Sequence, residues 1–536
     1  MPLHRTPEIA APAPPAPKQA QPAALGVLAG LAAAKLLAHL PAINQYGYFR
    51  DELYYLASTR HLALGYVDHP PLSIAVLAGV RALAGDSLPA LRLTPLLCGL
   101  AVVVLTALLA RELGGGRLAQ GAAGLAVLSA PVYLAIHHYY SMNALDHVAW
   151  ASAALLLAKA LRTGRASTWM LLGLVLGLGL LNKLSVLWLG AGIGAGLLLT
   201  PCRRFLLSRG PWLAAAIAAA LFAPHVAWQA AHGWPTLEFM SNATRHKMVQ
   251  TGLAEFLSGQ VLTMNPATLL IWLPGLLSGL RPGAEPRARL FSIAWLGVFA
   301  LLASGGPSRS SYLAPAYPML FASGGVSLER LREAAARARA GSFARRLRAA
   351  AAPAALSAMI LIGAPLVPYA LPVLPPDAFL AYMKAIGIAP RGEERSARAE
   401  LPQQYADMFG WEEMAEQAAR AYALLTPQER ARAAVFGQNY GEAGAIDVLG
   451  KRLGLPPAIS GHNSYWMWGP PPGSIDVVII LGGDHEGNAA FFEEVTVVGR
   501  VECRRCMPYE RDLAVSIGRR PRLPLEEAWP RLKRFM

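Results

Sequence analysis

Between Tyr46 and Leu72 the chain reads YGYFRDELYYLASTRHLALGYVDHPPL, which places Arg50, Asp51, Glu52, Arg60, His61, Asp68 and His69 directly after a hydrophobic run long enough to cross a bilayer. Carboxylates can take a proton from an attacking hydroxyl or hold a metal, and cations can hold a phosphate. A solvated loop whose charges only hold it at a membrane surface is the alternative. Asp51 and Glu52 are neighbours, and on a helix adjacent side chains point about 100° apart, so one can act while the other positions it.

Later segments add to this set. Asp146, in HHYYSMNALDHVAW, stands at the start of a span, where it either caps the helix or serves the site. Lys183 interrupts the apolar run GLGLLNKLSVLWLG, either as a snorkelling anchor or as a phosphate ligand. Arg309 and the Arg245-His246-Lys247 cluster supply further cations. Carboxylates for a base or a metal, together with cations for a phosphate, define a phosphoryl or glycosyl phosphate site.

The elements that must position these groups are membrane helices. A chain of 536 residues that is 54% hydrophobic and 15% charged is too oily for an ordinary soluble protein. Its net charge of +15 comes from short Lys and Arg clusters between apolar runs, which marks topology and not a nucleic-acid partner. A span needs roughly 20 mostly apolar residues. About eleven segments qualify, at 23–43, 92–110, 118–136, 144–161, 166–182, 184–200, 211–228, 266–280, 290–304, 312–328 and 351–371. The run 70–84 is short, opens with Pro70-Pro71 and carries Arg81, so it is expected to lie at the interface.

Alternate loops separate by charge. One set holds Arg111 and Arg117, Arg162 and Arg165, Arg203, Arg204 and Arg209, Arg281, Arg287 and Arg289, and the basic segment around 330–348. By the positive-inside rule these loops and the N-terminus are cytoplasmic. The opposite set contains 44–91, 137–143, the turn at Asn182-Lys183, 229–265, 305–311 and everything after 372, and it holds the reactive residues. Residues 1–22 are Pro/Ala-rich and are expected to form a disordered cytoplasmic tail.

After Pro372 the composition becomes that of a soluble domain. The stretch 403–434 reads as helical with a fresh start at Thr426-Pro427, and VVII (477–480) and VTVVG (495–499) read as strands. The expected architecture is a polytopic α-helical membrane domain over 23–371, with a first outer loop at 44–91, followed by a small extracytoplasmic α/β domain over 372–536. Cys503 and Cys506 form a single CxxC in that domain, as a disulfide or as two free thiols, and at most half a zinc site.

Four motifs in order, RDELYY with DHPPLS, the Asp146 element, the NKLS turn and SRSSYLAPAYP (308–318), resemble the multi-spanning GT-C glycosyltransferases of the family 39/83 group over about residues 23–330. That group includes protein O-mannosyltransferases and lipid A aminoarabinose transferases. The resemblance implies a GT-C fold, a polyprenyl-phosphate-linked sugar as donor and catalysis at the extracytoplasmic face of the cell inner membrane. Asp51 and Glu52 match the acidic pair of the first outer loop, Asp146 the second acidic position, and Lys183 a lysine usually followed by Gly-Pro. Arg309, Tyr312, Pro315 and Pro318 fall on the late cation-Tyr-Pro pattern. Two departures stand out: His69 occupies a position that is often Lys, and Leu184-Ser185 replaces Gly-Pro.

The implied chemistry is an inverting displacement, with Asp51 as first choice for the base and Lys183, Arg309, Tyr312 and His69 toward the donor phosphate. A divalent metal between Glu52 and Asp146 is compatible with the sequence. No P-loop is present, so no nucleoside triphosphate is expected. A transporter or lipid flippase is the competing class, although its polar residues would be expected at mid-depth and not at one membrane face.

Overall fold

The computed structural model describes residues 20–249, 251–305, 308–339, 341–388 and 399–536. Residues 1–19 of the expected tail, and Gly306 and Pro307 of the outer loop 305–311, lie outside the described residues.

Each of the eleven expected apolar segments is helical for most of its length. Among the described residues, six helices can cross a membrane alone by length and composition: Leu25–Ala42, Leu88–Glu112, Met142–Thr163, Arg209–Ala231, Pro286–Ser304 and Phe343–Ala370. Two further pairs qualify together but are sharply bent, Val186–Leu198 with Pro201–Leu207 by 105° and Leu253–Thr263 with Pro266–Leu280 by 93°. The chain is thus a multi-pass membrane protein with six to eight candidate spans by this measure. Ala166–Asn182 is apolar but shorter, and Tyr317–Arg337 ends in a charged turn.

Close helix contact in lipid depends on small residues, because van der Waals packing has to replace the hydrophobic drive. Tyr317–Arg337 shows how. A Cβ on its Gly324 would collide with the backbone of Ile271, and one on Gly275 would collide with the backbone of Leu320. The two helices therefore meet backbone to backbone, with Tyr317, Leu320 and Phe321 fully buried.

The loop 44–91, expected to face outward, contains the short helix Arg50–Ser58 and the helix Leu72–Ala84, the latter coinciding with the expected interfacial run. Arg81 near the end of the second helix bonds Asp86 and the Leu56 carbonyl, tying the two helices together.

The C-terminal domain is built on a five-stranded mixed sheet of order β2-β1-β3-β5-β4, where β1 is Ala433–Gly437, β2 Ala458–Ile459, β3 Val477–Leu481, β4 Phe492–Val501 and β5 Leu513–Pro521. Central β3 runs parallel to β1 and antiparallel to β5, and its five residues are all buried, as its unbroken apolar run requires. Both expected strands are present as β3 and β4. The expected helical stretch 403–434 is corrected at its end: helices cover Gln403–Ala406, Trp411–Ala423 and Pro427–Arg430, but Ala433 already pairs with Val477. Local alanine and arginine favour helix there, and pairing with β3 overrides that preference.

Cys503 and Cys506 are unbonded thiols in the β4–β5 connection, where the Cys506 thiol donates to the Cys503 carbonyl at 2.9 Å. That proximity holds the Cys503 thiol down at about 7 and pushes Cys506 up.

Candidate active site

Asp51 and Glu52 open the helix Arg50–Ser58, and the helix separates their fates. Glu52 turns back into the protein with no exposure. Its Oε2 accepts from the Phe49 amide at 2.9 Å and its Oε1 from the Tyr140 amide at 2.8 Å, while the Arg92 guanidinium reaches both oxygens at 3.3–3.4 Å. Arg92 also binds the carbonyls of Gln45 and Gly47, so this pair closes the loop that precedes the helix. Four donors fill the lone pairs of Glu52, which positions its neighbour.

Asp51 is half-buried and turns toward the C-terminal domain, where its Oδ1 accepts from the Tyr440 hydroxyl at 2.9 Å. Its surroundings are aromatic and acidic. Tyr54, one turn on, packs its ring 4.8 Å from that of Tyr440 and donates to Asp68 Oδ1 at 2.9 Å. Burial pushes the Asp68 carboxyl above the ordinary range, His69 opposes that shift, and the charge of Asp51 adds to it. Burial raises the Tyr55 phenol strongly, and Asp51 and Asp68 raise it further.

His69 lies in this aromatic box. Its ring sits 4.8–6.0 Å from those of Tyr54, Tyr55 and Tyr66 and is 1% exposed. Its Nε2 lies 3.9 Å from Asp68. The structure thus places it on the Asp51 side of the site.

Asp146 and Lys183 form a second cluster. Asp146 lies one turn into Met142–Thr163 and is fully buried; Ser185 donates to its Oδ1 at 2.7 Å, and Lys183 Nζ stands 3.6 Å from its Oδ2. Ser141, and not Asp146, caps that helix, by accepting from the Asn143 amide. Lys183 follows the helix Ala166–Asn182 in extended backbone and is 17% exposed. It donates to Asn143 at 2.7 Å and lies 5.6 Å over the Tyr312 ring. Arg309 begins the turn Ser310–Ala316 that carries Tyr312.

The two clusters meet along 140–146. Tyr140 holds Glu52 through its amide, the Tyr55 phenol feels the Met142 backbone, Asn182 donates to the Met142 carbonyl at 2.8 Å, and Asn143 receives Lys183.

A divalent ion shared by Glu52 and Asp146 does not fit these contacts, because each carboxylate already faces a cation and Glu52 has no lone pair left. Among the described residues no group of three or more His, Cys, Asp or Glu could hold a metal ion.

Some members of the site were not singled out from the sequence. Asp68 was named among the polar residues of the first loop but given no role, whereas Tyr440 lies 389 positions from its partner with nothing local to mark it. Deeper in the bundle, fully buried Lys35 contacts the Tyr133 carbonyl at 3.1 Å and His137 Nδ1 at 3.4 Å, and His137 Nε2 contacts His147 Nδ1 at 3.2 Å. The lone lysine in an apolar span was the available signal.

Comparison with known proteins bears on the fold. The sequence model of the family described as "Dolichyl-phosphate-mannose-protein mannosyltransferase" matches residues 68–228. No curated protein sequence matches the chain. Among solved structures, ArnT from Cupriavidus metallidurans bound to undecaprenyl phosphate is similar with a TM-score of 0.58 at 16% identity, over 92% of this chain and 98% of that one. The Archaeoglobus fulgidus oligosaccharyltransferase tethered with an acceptor peptide gives 0.52 at 14% identity, over 81% and 63%. The arabinofuranosyltransferase AftD from Mycobacteria gives 0.50 at 15%, over 94% of this chain and 42% of that one. A helical membrane domain resembling those of these glycosyltransferases, followed by a small sheet domain, gives this chain the GT-C fold.

Proposed function

We propose that the chain transfers a sugar from a polyprenyl-phosphate carrier to an acceptor hydroxyl on a lipid, glycan or protein, at the extracytoplasmic face of the inner membrane. The observation that carries this reading is the division of the site into an Asp51 half and a Lys183 half, joined by the single segment 140–146. One half suits a base and the other an anionic leaving group. The structural similarity to ArnT bound to undecaprenyl phosphate supports a lipid phosphate as that group.

Asp51 takes the proton of the acceptor hydroxyl as the acceptor oxygen bonds to the anomeric carbon. The carbon–oxygen bond to phosphate breaks on the opposite face, its electron pair leaves with the lipid phosphate, and the anomeric centre inverts. Lys183 and Arg309 stabilise the departing charge, with Tyr312 holding Lys183 in place. His69, buried in the aromatic box beside Asp68, belongs to the base half and not to the phosphate half. The positive-inside pattern supports a cytoplasmic N-terminus and an outward C-terminal domain.

Purified protein in liposomes, given a radiolabelled polyprenyl-phosphate sugar and acceptor extracts from the membrane, tests the reading. Label moving into an acceptor is the expected result. Label crossing the bilayer with its carrier intact would instead establish a flippase.

A further inference from the structure

The C-terminal domain does more than cover the membrane domain, because one of its helices lies against the helix that bears the base. Asn439 begins the helix Tyr440–Val448 and caps it, accepting from the amides of Gly441 and Glu442 at 2.8 and 3.0 Å. Gly441 and Gly444 lie three residues apart on one face. A Cβ on Gly441 would come 2.5 Å from Arg50 Cγ, and one on Gly444 would come 2.9 Å from the Leu53 backbone. Only a side-chain-free face permits so close an approach. Docking sets Tyr440 at the start of its helix over Asp51 at the start of the other.

Tyr440 is held from several sides. Its amide donates to His462 Nδ1 at 3.2 Å, which leaves His462 Nε2 to donate to the main-chain oxygen of Met536 at 2.7 Å. Its ring packs against Tyr54 and His462, with Arg50 and Lys247 5.4 and 5.8 Å over its face. These contacts hold the phenol oxygen in place, and from there it donates to Asp51 Oδ1 at 2.9 Å.

We infer that Tyr440 is a positioning residue for the base: its hydroxyl fixes Asp51 through Oδ1 and leaves Oδ2 to receive the acceptor proton. This inference rests on the transferase reading above. It makes turnover depend on how the C-terminal domain seats on the first outer loop, so this domain completes the site it covers.

A double-mutant cycle tests the inference in the full-length protein, with kcat measured at saturating donor and acceptor for wild type, Tyr440→Phe, Asp51→Asn and the double variant. A hydrogen bond to a charged group corresponds to roughly a tenfold or larger change. Tyr440→Phe is therefore expected to lower kcat by on the order of 10-fold while donor KM holds, and to cost nothing further in the Asp51→Asn background. Equal fractional losses in both backgrounds, or wild-type kcat for Tyr440→Phe, would overturn it.

Should Tyr440→Phe fail to fold, 3-fluorotyrosine at 440 retains the shape and alters the donor, and an unchanged kcat would overturn the inference just as well. Infrared difference spectra give a readout without turnover: the Asp51 carboxylate band, assigned by its loss in Asp51→Asn, is expected to shift in the 440 variants, and a band that stays in place refutes the contact. A wild-type protein that transfers no sugar refutes the transferase reading and this inference with it, whereas an active enzyme indifferent to Tyr440 refutes the inference alone.

Discussion

Glu52 and Arg92 meet at 3.3 Å with both side chains fully withdrawn from solvent, one residue away from a carboxylate that faces the site. Breaking a buried pair by removing one partner typically costs about 3–5 kcal/mol, because the other charge stays buried and alone. Glu52→Ala is therefore expected to lower the thermal midpoint and yield of the detergent-solubilised protein sharply. Equal stability to wild type would show that Arg92 finds other partners.

Asp51→Asn has the opposite profile. It keeps the shape of a side chain that contributes one hydrogen bond at the domain contact, so folding should survive. General-base contributions are typically on the order of 10²–10⁴-fold, and turnover should fall within that range with donor binding retained. Activity above about a tenth of wild type, far short of such a loss, would transfer the role to Asp68 or Asp146.

The membrane helices and the buried charges among them were legible because lipid imposes long apolar runs and makes every buried charge conspicuous. The roles of Asp51 and Glu52 were not separable in that way. Adjacency showed only that they diverge, and which of them turned inward depended on Arg92, forty residues away in a span. Tyr440 was illegible for the same reason. Its meaning comes from docking two helices across 389 positions through Gly441 and Gly444, and no local pattern encodes that contact.

Topology can be checked directly. Reporter fusions at about residues 115 and 450 are expected to report cytoplasm and exterior in that order, from the alternation of arginine-rich loops. A cytoplasmic signal at 450 would place the C-terminal domain and the Asp51 face inside the cell.

Stability of the C-terminal domain should depend on pH through Glu442. Its oxygens accept from the Gln438 amide and the Asn439 side chain at 2.6 and 2.7 Å, and burial pushes its carboxyl up to about 8 from an ordinary value of 4.5. The folded domain then keeps a proton that the unfolded chain has released. The resulting stability is fully present below pH 4.5, declines as pH rises and is lost once pH passes about 8. Buried Glu510, raised in the same direction, adds to that slope. Thermal midpoints between pH 5 and 8 should fall in wild type and fall less steeply in Glu442→Gln; parallel slopes would show that Glu442 does not hold the proton.

Lys183 separates donor binding from the packing of a buried pair. Its ammonium lies between Asn143 and Asp146, at 2.7 and 3.6 Å, so a lipid phosphate held by Lys183 has to share or replace these partners. Charge-assisted hydrogen bonds contribute roughly 1.5–3 kcal/mol, and Lys183→Ala should weaken donor binding by on the order of 10- to 150-fold. The same change leaves Asp146 buried beside Ser185 without its cation, so stability should fall as well. Adding Asp146→Asn removes that stranded charge and should restore the thermal midpoint without restoring donor affinity. Lys183→Arg should recover only part of the binding, because a planar fork does not reproduce a compact ammonium over the Tyr312 ring. If Lys183 only anchors its turn, the double variant should recover stability and donor binding together, and Arg309 would then be the leading ligand for the phosphate.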